Sequence, residues 1–418
     1  MAEVIPFKGS LYNIAKVSRK QGEELLCPPY DIITPETQEG FYQSSPYNIV
    51  RVDFGKGLPD DNSNENKYTR AQAYLKQWIR EDVLVTNGSP CFYAYEMVYT
   101  LGLRELSLKG VIGLVRLEEL GKGTIYPHEC THDKPKKDRL QLLKVCNANI
   151  SPIFSLYNSP EKKTSARLSE ICRRKPYIAA PDMDNTIHKL WKISDENDIQ
   201  MIQAELSDKP IFIADGHHRY ETALDYQRER NNGKGSGSQM PHNYIMMFLA
   251  NMSAEGLTIL PTHRLAGKIP GDTLERLSAQ FAVRKMKGGL HIVDSLARTV
   301  KSIGFYMGDA DTWYLLEYSG QDLSDIPEPL RNLDVSILHE LILKKSLQVD
   351  DVGYEMDEEK TVQLVQDRRY AAAFFLNPTP VSEVEHVALA SLRMPPKSTY
   401  FYPKLLTGTV LNIFDNAF

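Results

Sequence analysis

The chain has 418 residues, of which 42% are hydrophobic and 25% charged, and its formal net charge at pH 7 is -5. This composition excludes a disordered or fibrous chain, and the length is sufficient for two or three domains with their own cores. Because basic and acidic residues are interspersed, the charge balance argues against a nucleic-acid-binding surface and against a basic membrane anchor.

The cysteines and the apolar runs indicate the compartment. The five cysteines are scattered and include no CxxC pair, which predicts reduced thiols in a cytoplasmic protein. The longest apolar runs, such as residues 245–250, are far too short to span a bilayer, and the N-terminus lacks the features of a signal peptide. We therefore expect a cytoplasmic protein whose partners include neither nucleic acid nor a membrane.

The predicted strands and helices are mixed along the chain without strict alternation. Apolar periodicity predicts helices over residues 65–83, 137–147, 161–174 and 195–206. Short apolar or alternating runs predict strands and turns over 1–60, a hairpin over 91–118, strands over 151–157, 186–193, 244–250 and 370–376, and mixed elements over 270–345. Residues 231–239 are rich in Gly and Ser and predict a surface loop. This order favours a mixed α+β fold over a doubly wound sheet.

A strand followed by a tight turn and a helix start carries the clearest chemical signal. The apolar run 211–214 ends in Asp215-Gly216, and His217-His218-Arg219 opens the next predicted helix. Glycine lets a ligand approach the backbone, and the N–H groups of a helix start favour an anion. The histidines and Arg219 add donors that suit phosphate oxygens. The pattern predicts a phosphate site in which Asp215 holds a metal or orients a hydroxyl; a plain connecting turn is the alternative.

Asp31 is the second candidate. It lies between Pro28-Pro29, which force an extended backbone, and a helix start with Thr34 as its cap and Pro35 at the first helical position. A carboxylate in this place is suited to act as a general base that takes a proton from a substrate hydroxyl. It is also suited to fix a turn, and the spacing alone favours that structural role.

Residues 128–132 match H-E-x-x-H, the zinc-protease pattern, which requires both histidines on one face of a helix. Pro127 before the pattern and Pro135 after it argue against a helix. We therefore expect a loop that presents His128 and Glu129, with a solvated charged loop as the alternative.

Near the C-terminus, Lys397-Ser398-Thr399 resembles the end of a Walker A loop. The upstream glycines of that motif are missing, which excludes a P-loop. The three residues are nevertheless suited to contact phosphate. Residues 261–264, Pro-Thr-His-Arg, form a fainter candidate site.

Six blocks in chain order resemble the family called domain of unknown function 1015. They are Pro28-Pro29-Tyr30-Asp31, His128-Glu129 with Thr131, Asp138-Arg139, Ser151-Pro152-Ile153-Phe154, Asp215 to Tyr220, and Lys397 to Lys404. The resemblance covers nearly the whole chain, and it assigns no activity.

A more distant resemblance implies an activity. The Asp215–Arg219 turn is similar to that of the ParB/sulfiredoxin-like fold, whose free-serine kinases transfer phosphate from ADP or ATP to free L-serine with Mg²⁺. This resemblance implies that Asp31 is the base, with Asp where those kinases have Glu, and that Asp215 lies on the metal or substrate side. It implies that Gly216, His217, His218 and Arg219 hold the phosphates.

The same resemblance implies the organisation of the chain. Residues 1–60 and 186–265 would form a ParB/sulfiredoxin-like nucleotide-binding core, residues 61–185 an inserted α/β region, and residues 266–418 a C-terminal α/β region. His128, Glu129 and Arg139 would be additional site residues from the insertion, with Glu129 as the reserve base. Lys397, Ser398 and Thr399 would assist at the phosphates.

Together, these features predict a Mg²⁺-dependent phosphotransferase that uses ADP or ATP, with free serine as the leading acceptor. Two alternatives stay open: a phosphoserine-type phosphatase in which His217 or His218 acts as nucleophile or acid, and a nucleotide-sensing protein without turnover. Each depends on a pocket at residues 215–219 that other highlighted segments reach; the candidates are residues 28–36, 128–139 and 395–404, and the sequence leaves open whether the last two do.

Overall fold

The computed structural model describes residues 2–131, 133–231, 240–287, 292–296, 301–308, 312–320 and 323–414. His132 lies outside these residues. Of the loop expected over 231–239, only Asn231 lies within them. The chain divides into two compact units. The first comprises Met1–Pro127, Thr131–Leu257 and Pro403–Phe418, and the second comprises His128–Cys130 and Thr258–Tyr402.

A mixed sheet, nine-stranded within the described residues, forms the centre of the first unit. Its strands lie in the order Ile125–Pro127, Ile211–Asp215, Ile153–Tyr157, Tyr244–Asn251, Arg104–Arg116, Phe92–Leu101, Ile187–Ile193 and Ile178–Pro181, and Val4–Ile5 pairs with Arg104–Arg116. Two pairs are parallel, Ile125–Pro127 with Ile211–Asp215 and Ile153–Tyr157 with Tyr244–Asn251; the others are antiparallel. The expected hairpin is confirmed, and Gly102 in its turn has a φ of +60°, which a glycine adopts without strain.

Helices cover this sheet because its central strands are apolar along almost their whole length, a pattern typical of strands buried on both faces. Ile213 and Met247 of two such strands share a buried core with Ile202 and Tyr220 of two helices. The helices of the first unit are Ile14–Val17, Pro35–Ser44, Val50–Asp53, Lys67–Arg80, Asp133–Cys146, Lys163–Ile171, Glu196–Leu206 and His217–Asn231. Two further strand pairs complete it: Ser10–Tyr12 with Leu84–Thr86, and Ala148–Asn149 with Asn412–Ile413.

The second unit contains an antiparallel sheet that has six strands within the described residues. Their order is Phe281–Lys287, Thr312–Tyr318, Ser302–Tyr306, Ala372–Phe375, His263–Ala266 and Val352–Glu355. Thr258–Leu260 pairs separately with Tyr400–Tyr402. The helices are Thr273–Ser278, Ile292–Leu296, Asp334–Ile337, Glu358–Gln366 and Val381–Leu389, with a π-helix at Leu338–Leu347. Leu265, Trp313 and Phe375 lie in its core.

The mixed arrangement of strands and helices confirms the α+β class, while the ParB/sulfiredoxin-like core stays a prediction. The units differ from the expected three regions. Strands Phe92–Leu101 and Arg104–Arg116, placed in an inserted region, belong to the same sheet as Tyr244–Asn251 because residues 110–116 pair directly with 244–250. The helix expected from residue 137 begins earlier, at Asp133. Within the described residues, no helix combines the length and apolar character that crossing a bilayer requires.

Candidate active site

The Asp-Gly turn, Asp215–Gly216, joins strand Ile211–Asp215 to helix His217–Asn231 in the first unit, as expected. Gly216 has a φ of +98°, and its carbonyl accepts the helix bond from Tyr220 N at 3.0 Å. A Cβ at this position would lie 2.9 Å from Nη2 of Arg219, because the guanidinium folds back over the glycine. The backbone conformation and the close approach both require glycine here.

Replacing Gly216 with alanine is expected to lower the free energy of unfolding by about 1–3 kcal/mol, because alanine disfavours this backbone conformation and its methyl group displaces the guanidinium. Gly40 provides a matched control, since it lies inside helix Pro35–Ser44 and a Cβ added there would have no atom within 4 Å. Alanine there should stabilise by about 0.5–1 kcal/mol. Urea denaturation of both variants measures the two effects, and equal changes would contradict the role of the turn.

Arg219 connects this turn to the start of the neighbouring strand. Its Nη1 donates to Ser151 Oγ at 2.9 Å and to the carbonyl of Pro152 at 2.8 Å. These two residues directly precede strand Ile153–Tyr157, in which Phe154 pairs with Asp215. The antiparallel pairing therefore brings two separated sequence blocks into contact.

Asp215 lies beside a lysine. Its Oδ2 accepts from Lys404 Nζ at 3.1 Å, and the side chains are 23% and 14% exposed. Within the described ranges, no cluster of three or more His, Cys, Asp or Glu side chains could hold a metal ion. A single carboxylate paired with an ammonium is not a metal site by itself. Mg²⁺ would fit here only in company with phosphate oxygens, which often provide its ligands in nucleotide sites.

Arg139 forms a buried ionic network in the same unit. Its Nη1 lies 3.0 Å from Asp53 Oδ1, and its Nη2 lies 2.6 Å from Asp138 Oδ2. The guanidinium carbon is 4.1 Å from the centre of the Tyr30 ring. Burial opposes the charge of Arg139, but Asp53 and Asp138 raise its pKa. The arginine therefore stays cationic and is held rigidly by two carboxylates and an aromatic ring.

Tyr30 shows which charged groups share this neighbourhood. Burial raises the pKa of its phenol; Arg139 and Arg219 act to lower that pKa, while Asp31 and Asp215 act to raise it. Asp31 is the chain neighbour of Tyr30, whose ring lies against the Arg139 guanidinium. Arg139 and Arg219 line one cavity, and Nη2 of Arg219 lies close to Gly216 of the Asp-Gly turn. Asp31 itself lies in a short 3₁₀ turn and is exposed.

Asp138 gives the network a measurable pH dependence. Burial would raise the pKa of this carboxyl, but Arg139 and Lys67 hold it at about 2, below its ordinary value of 3.8. A lowered carboxyl pKa contributes stability above pH 4, and that stability is lost as the pH falls toward 2. Asp138→Asn should therefore cost on the order of 2 kcal/mol at neutral pH and much less at pH 2.

Urea titrations of wild type and Asp138→Asn between pH 6 and pH 2 test this expectation. The exposed Asp60→Asn substitution is the control and should follow wild type throughout. A difference between wild type and Asp138→Asn that does not depend on pH would contradict the assignment.

The second unit contains another group of expected site residues. Buried His128 places Nε2 2.8 Å from Thr399 Oγ1. Glu129 Oε1 accepts from the amide and hydroxyl of Thr399, both at 3.0 Å, and its Oε2 accepts from the amide of Lys397 at 3.3 Å. The sequence suggested Lys397–Thr399 as a phosphate contact. In the structure, the backbone amides of Lys397 and Thr399 donate instead to the carboxylate of Glu129.

Arg264 holds the Lys397 turn. It is fully buried, and its Nη2 donates to the carbonyl of Lys397 at 2.9 Å while its Nε donates to His339 at 3.1 Å. Burial lowers the pKa of Arg264 to about 10. Ser398 is also fixed, since its hydroxyl donates to the carbonyl of Pro395 at 2.6 Å. Arg264, which belongs to the faint candidate site at residues 261–264, therefore positions the Lys397 turn.

The loop interpretation of residues 128–132 is confirmed for its described part. Residues 128–130 lie outside any helix, and Glu129 forms an isolated parallel bridge with Met394. His128 therefore does not lie on a helix, as the zinc-protease mechanism requires of both histidines of the pattern. All five cysteines, each within the described ranges, are without disulfides.

Two charged residues of the first unit were not among the expected site residues. Asp53 follows a short apolar segment, and nothing in the local pattern indicates its pairing with Arg139. Lys404 is the last residue of one of the six blocks that resemble the family, so the sequence did point to it. Its contact with Asp215, however, joins residues 189 positions apart, which a local pattern does not predict.

Solved structures of several proteins are similar to this chain at low identity. A conserved hypothetical protein from Pyrococcus furiosus is 12% identical with a TM-score of 0.34, over 66% of this chain and 87% of that one. A free serine kinase in complex with AMP is 10% identical with a TM-score of 0.36, over 71% and 98%. SbnI with a C-terminal truncation, from Staphylococcus aureus, is 11% identical with a TM-score of 0.36, over 71% and 85%.

No curated protein matches the sequence. A protein-family model, however, matches residues 4–336, which is most of the chain, and agrees with the resemblance carried by the sequence blocks. The chain therefore belongs to the DUF1015 family, whose members are described as proteins of unknown function.

Proposed function

We propose that this protein is a nucleotide-dependent phosphotransferase acting on a small hydroxylated metabolite. ADP or ATP is the proposed donor, and free L-serine is the first acceptor to test. The observation that carries the proposal is the placement of two arginines in the first unit. Arg139 lies against Tyr30, the chain neighbour of Asp31, and Arg219 lines the same cavity as Arg139 and lies over the Asp-Gly turn.

The turn is suited to hold phosphates. The N-terminus of helix His217–Asn231 presents backbone N–H groups and a positive dipole end to an anion. Gly216 has no side chain to block the approach, and Lys404 adds a cation 3.1 Å from Asp215. Arg219 is fixed through Ser151, so its Nη2, which lies close to Gly216, is preorganised for a phosphate. His217 and His218 add donors in the first helical turn.

Phosphoryl transfer needs positioned phosphates, neutralised charge and an acceptor for the proton of the attacking hydroxyl. Asp31 is the proposed proton acceptor, because its carboxylate is exposed and because it directly follows Tyr30, whose ring lies against Arg139. When bound with the nucleotide, Mg²⁺ would neutralise phosphate charge, with Asp215 as the nearby carboxylate. An additional role at the phosphates stays a prediction for five residues: His128, Glu129, Lys397, Ser398 and Thr399.

The choice of donor and acceptor rests on the Asp215–Arg219 turn, which resembles that of free-serine kinases. This resemblance implies ADP or ATP as the donor and serine as the acceptor. The free serine kinase named above was solved with AMP, and a variant of it with ADP. Adenine nucleotides are therefore the first donors to test.

The decisive experiment uses the full chain in two parallel reactions. One contains L-serine with ADP or ATP and Mg²⁺; the other contains O-phospho-L-serine alone, and products are followed by mass spectrometry and phosphate release. Phosphoserine formed only with nucleotide supports the proposal. Phosphate released from phosphoserine without nucleotide would establish a phosphatase instead, and nucleotide binding without any product would establish a sensor.

Arg219→Lys tests the phosphate site separately from turnover. Lysine keeps the charge but loses the fixed planar fork, so nucleotide affinity should fall by about ten-fold or more. Arg228→Lys on the same helix is the matched control, because Arg228 is an exposed residue paired with Asp225 and Glu119. Equal affinity of both variants in calorimetric titration would contradict phosphate binding at the turn.

A further inference from the structure

A cavity of about 50 Å³ lies in the first unit, lined by residues of helices Asp133–Cys146 and His217–Asn231 and by the segment between residues 148 and 151. A water molecule needs about 10–15 Å³ of such space, so the cavity has room for a few non-hydrogen atoms. Part of its wall is apolar and includes Leu142, Ile150 and Ile245. Asp53, Arg139 and Arg219 line the polar part.

Two buried side-chain atoms in this lining, one on a carboxylate and one on a guanidinium, have no hydrogen-bond partner among the described residues. They are Oδ2 of Asp53 and Nε of Arg219. Asp53 is only 3% exposed, and its other oxygen is bound to Arg139 at 3.0 Å. Arg219 uses Nη1 for Ser151 and Pro152. Since buried polar groups are almost always paired, these two atoms are suited to a ligand that donates to a carboxylate and accepts from a guanidinium.

The charges in the lining restrict the chemistry of that occupant. A simple anion such as phosphate would meet the Asp53 carboxylate, and a simple cation would meet two arginines. An α-amino acid carries an ammonium donor and a carboxylate acceptor on one carbon atom, and so offers a partner of the right kind to each of the two atoms. The apolar wall and the small volume favour a short side chain.

We propose that this cavity binds the head group of a small zwitterionic α-amino acid, with its ammonium group on Asp53 and its carboxylate on Arg219. The further step, that this amino acid is the phosphoryl acceptor, rests on the proposed function. Asp31 is the chain neighbour of Tyr30, whose ring centre lies 4.1 Å from the guanidinium carbon of Arg139, a residue of the cavity lining.

Calorimetric titration of the full chain tests the cavity without any turnover. L-Serine and L-alanine carry both groups, ethanolamine lacks the carboxylate, and L-lactate lacks the ammonium group. Each is titrated with and without saturating AMP. We expect the two amino acids to bind and the two singly charged compounds to bind about ten-fold more weakly or worse. Equal binding of ethanolamine or lactate, or no binding by either amino acid, would overturn the inference and leave a cavity that holds only water.

Asp53→Asn removes one charge and keeps the shape of the side chain. It should weaken amino-acid binding by about ten-fold or more and leave AMP binding unchanged, while Asp60→Asn should bind like wild type. Circular dichroism checks the fold. Should Asp53→Asn not fold, Ala148→Val, which narrows the cavity without touching a charge, should abolish amino-acid binding. Undiminished binding by the folded variant overturns the inference.

The two proposals fail in different ways. Amino acids that bind in an Asp53-dependent manner without ever being phosphorylated would end the phosphotransferase proposal and leave the cavity assignment standing. Phosphoryl transfer to serine with a KM unchanged by Asp53→Asn would do the opposite.

Discussion

Replacing Asp31 with asparagine is expected to lower the rate of phosphoryl transfer by about 10²–10⁴-fold, the usual contribution of a general base. Asparagine has the same shape but cannot take the proton of the attacking hydroxyl. Because the Asp31 side chain is exposed, neither the fold nor nucleotide affinity should change appreciably. Initial rates and calorimetric titration measure the two quantities, and Asp60→Asn is the exposed control.

Two further substitutions identify the base if Asp31→Asn is active. The resembling kinases have Glu at this place, so Asp31→Glu should retain turnover. Glu129→Gln removes the reserve base, whose carboxylate accepts from the amides of Lys397 and Thr399. Retained turnover in Asp31→Asn together with loss in Glu129→Gln would transfer the role to Glu129.

Replacing Arg139 with leucine is expected to destabilise the first unit by about 3–5 kcal/mol, because removing one partner of a buried ion pair leaves an uncompensated charge. Asp53, only 3% exposed, would lose the cation that lies 3.0 Å from its Oδ1. Asp138 would keep its contacts with Lys67 and Tyr68. Most of the lost stability therefore comes from the unpaired carboxylate of Asp53.

The chain has three tryptophans, which allows this loss to be measured for the first unit alone. Trp78 and Trp191 lie in that unit, so a Trp313→Phe background restricts the fluorescence signal to it. Arg228→Leu, which removes an exposed arginine, should cost no more than about 1 kcal/mol in the same urea titration. Adding Asp53→Leu to Arg139→Leu should restore part of the stability, since no unpaired carboxylate remains there. A loss below about 1 kcal/mol for Arg139→Leu alone would contradict a structural ion pair.

Features that depend on neighbouring residues could be predicted from the sequence. Alternating apolar residues predicted the hairpin of Phe92–Leu101 and Arg104–Arg116. Thr34 caps helix Pro35–Ser44, with its hydroxyl accepting from Thr37 N at 3.3 Å, because Thr and Pro have preferred places at a helix start. The strand–turn–helix at Asp215–Gly216 followed from an apolar run, a glycine and a polar helix start.

Contacts between distant residues could not be predicted in this way. The pairing of Arg139 with Asp53 spans 86 residues, and that of Lys404 with Asp215 spans 189. Local periodicity carries no information on which distant segments meet. For the same reason, the pairing of strand Arg104–Arg116 with Tyr244–Asn251 could not be predicted from local pattern.

The sequence by itself therefore determined many of the elements, the strand–turn–helix at Asp215–Gly216 and the family resemblance, since these reside in contiguous residues. Only the tertiary structure decided that Arg139 and Arg219 line one cavity, and that Glu129 accepts from the backbone of the Lys397 turn. At that cavity, one oxygen of Asp53 and one nitrogen of Arg219 have no hydrogen-bond partner among the described residues. Strand pairing and helix packing bring these groups together across long stretches of chain, and burial then makes each unpaired charge consequential.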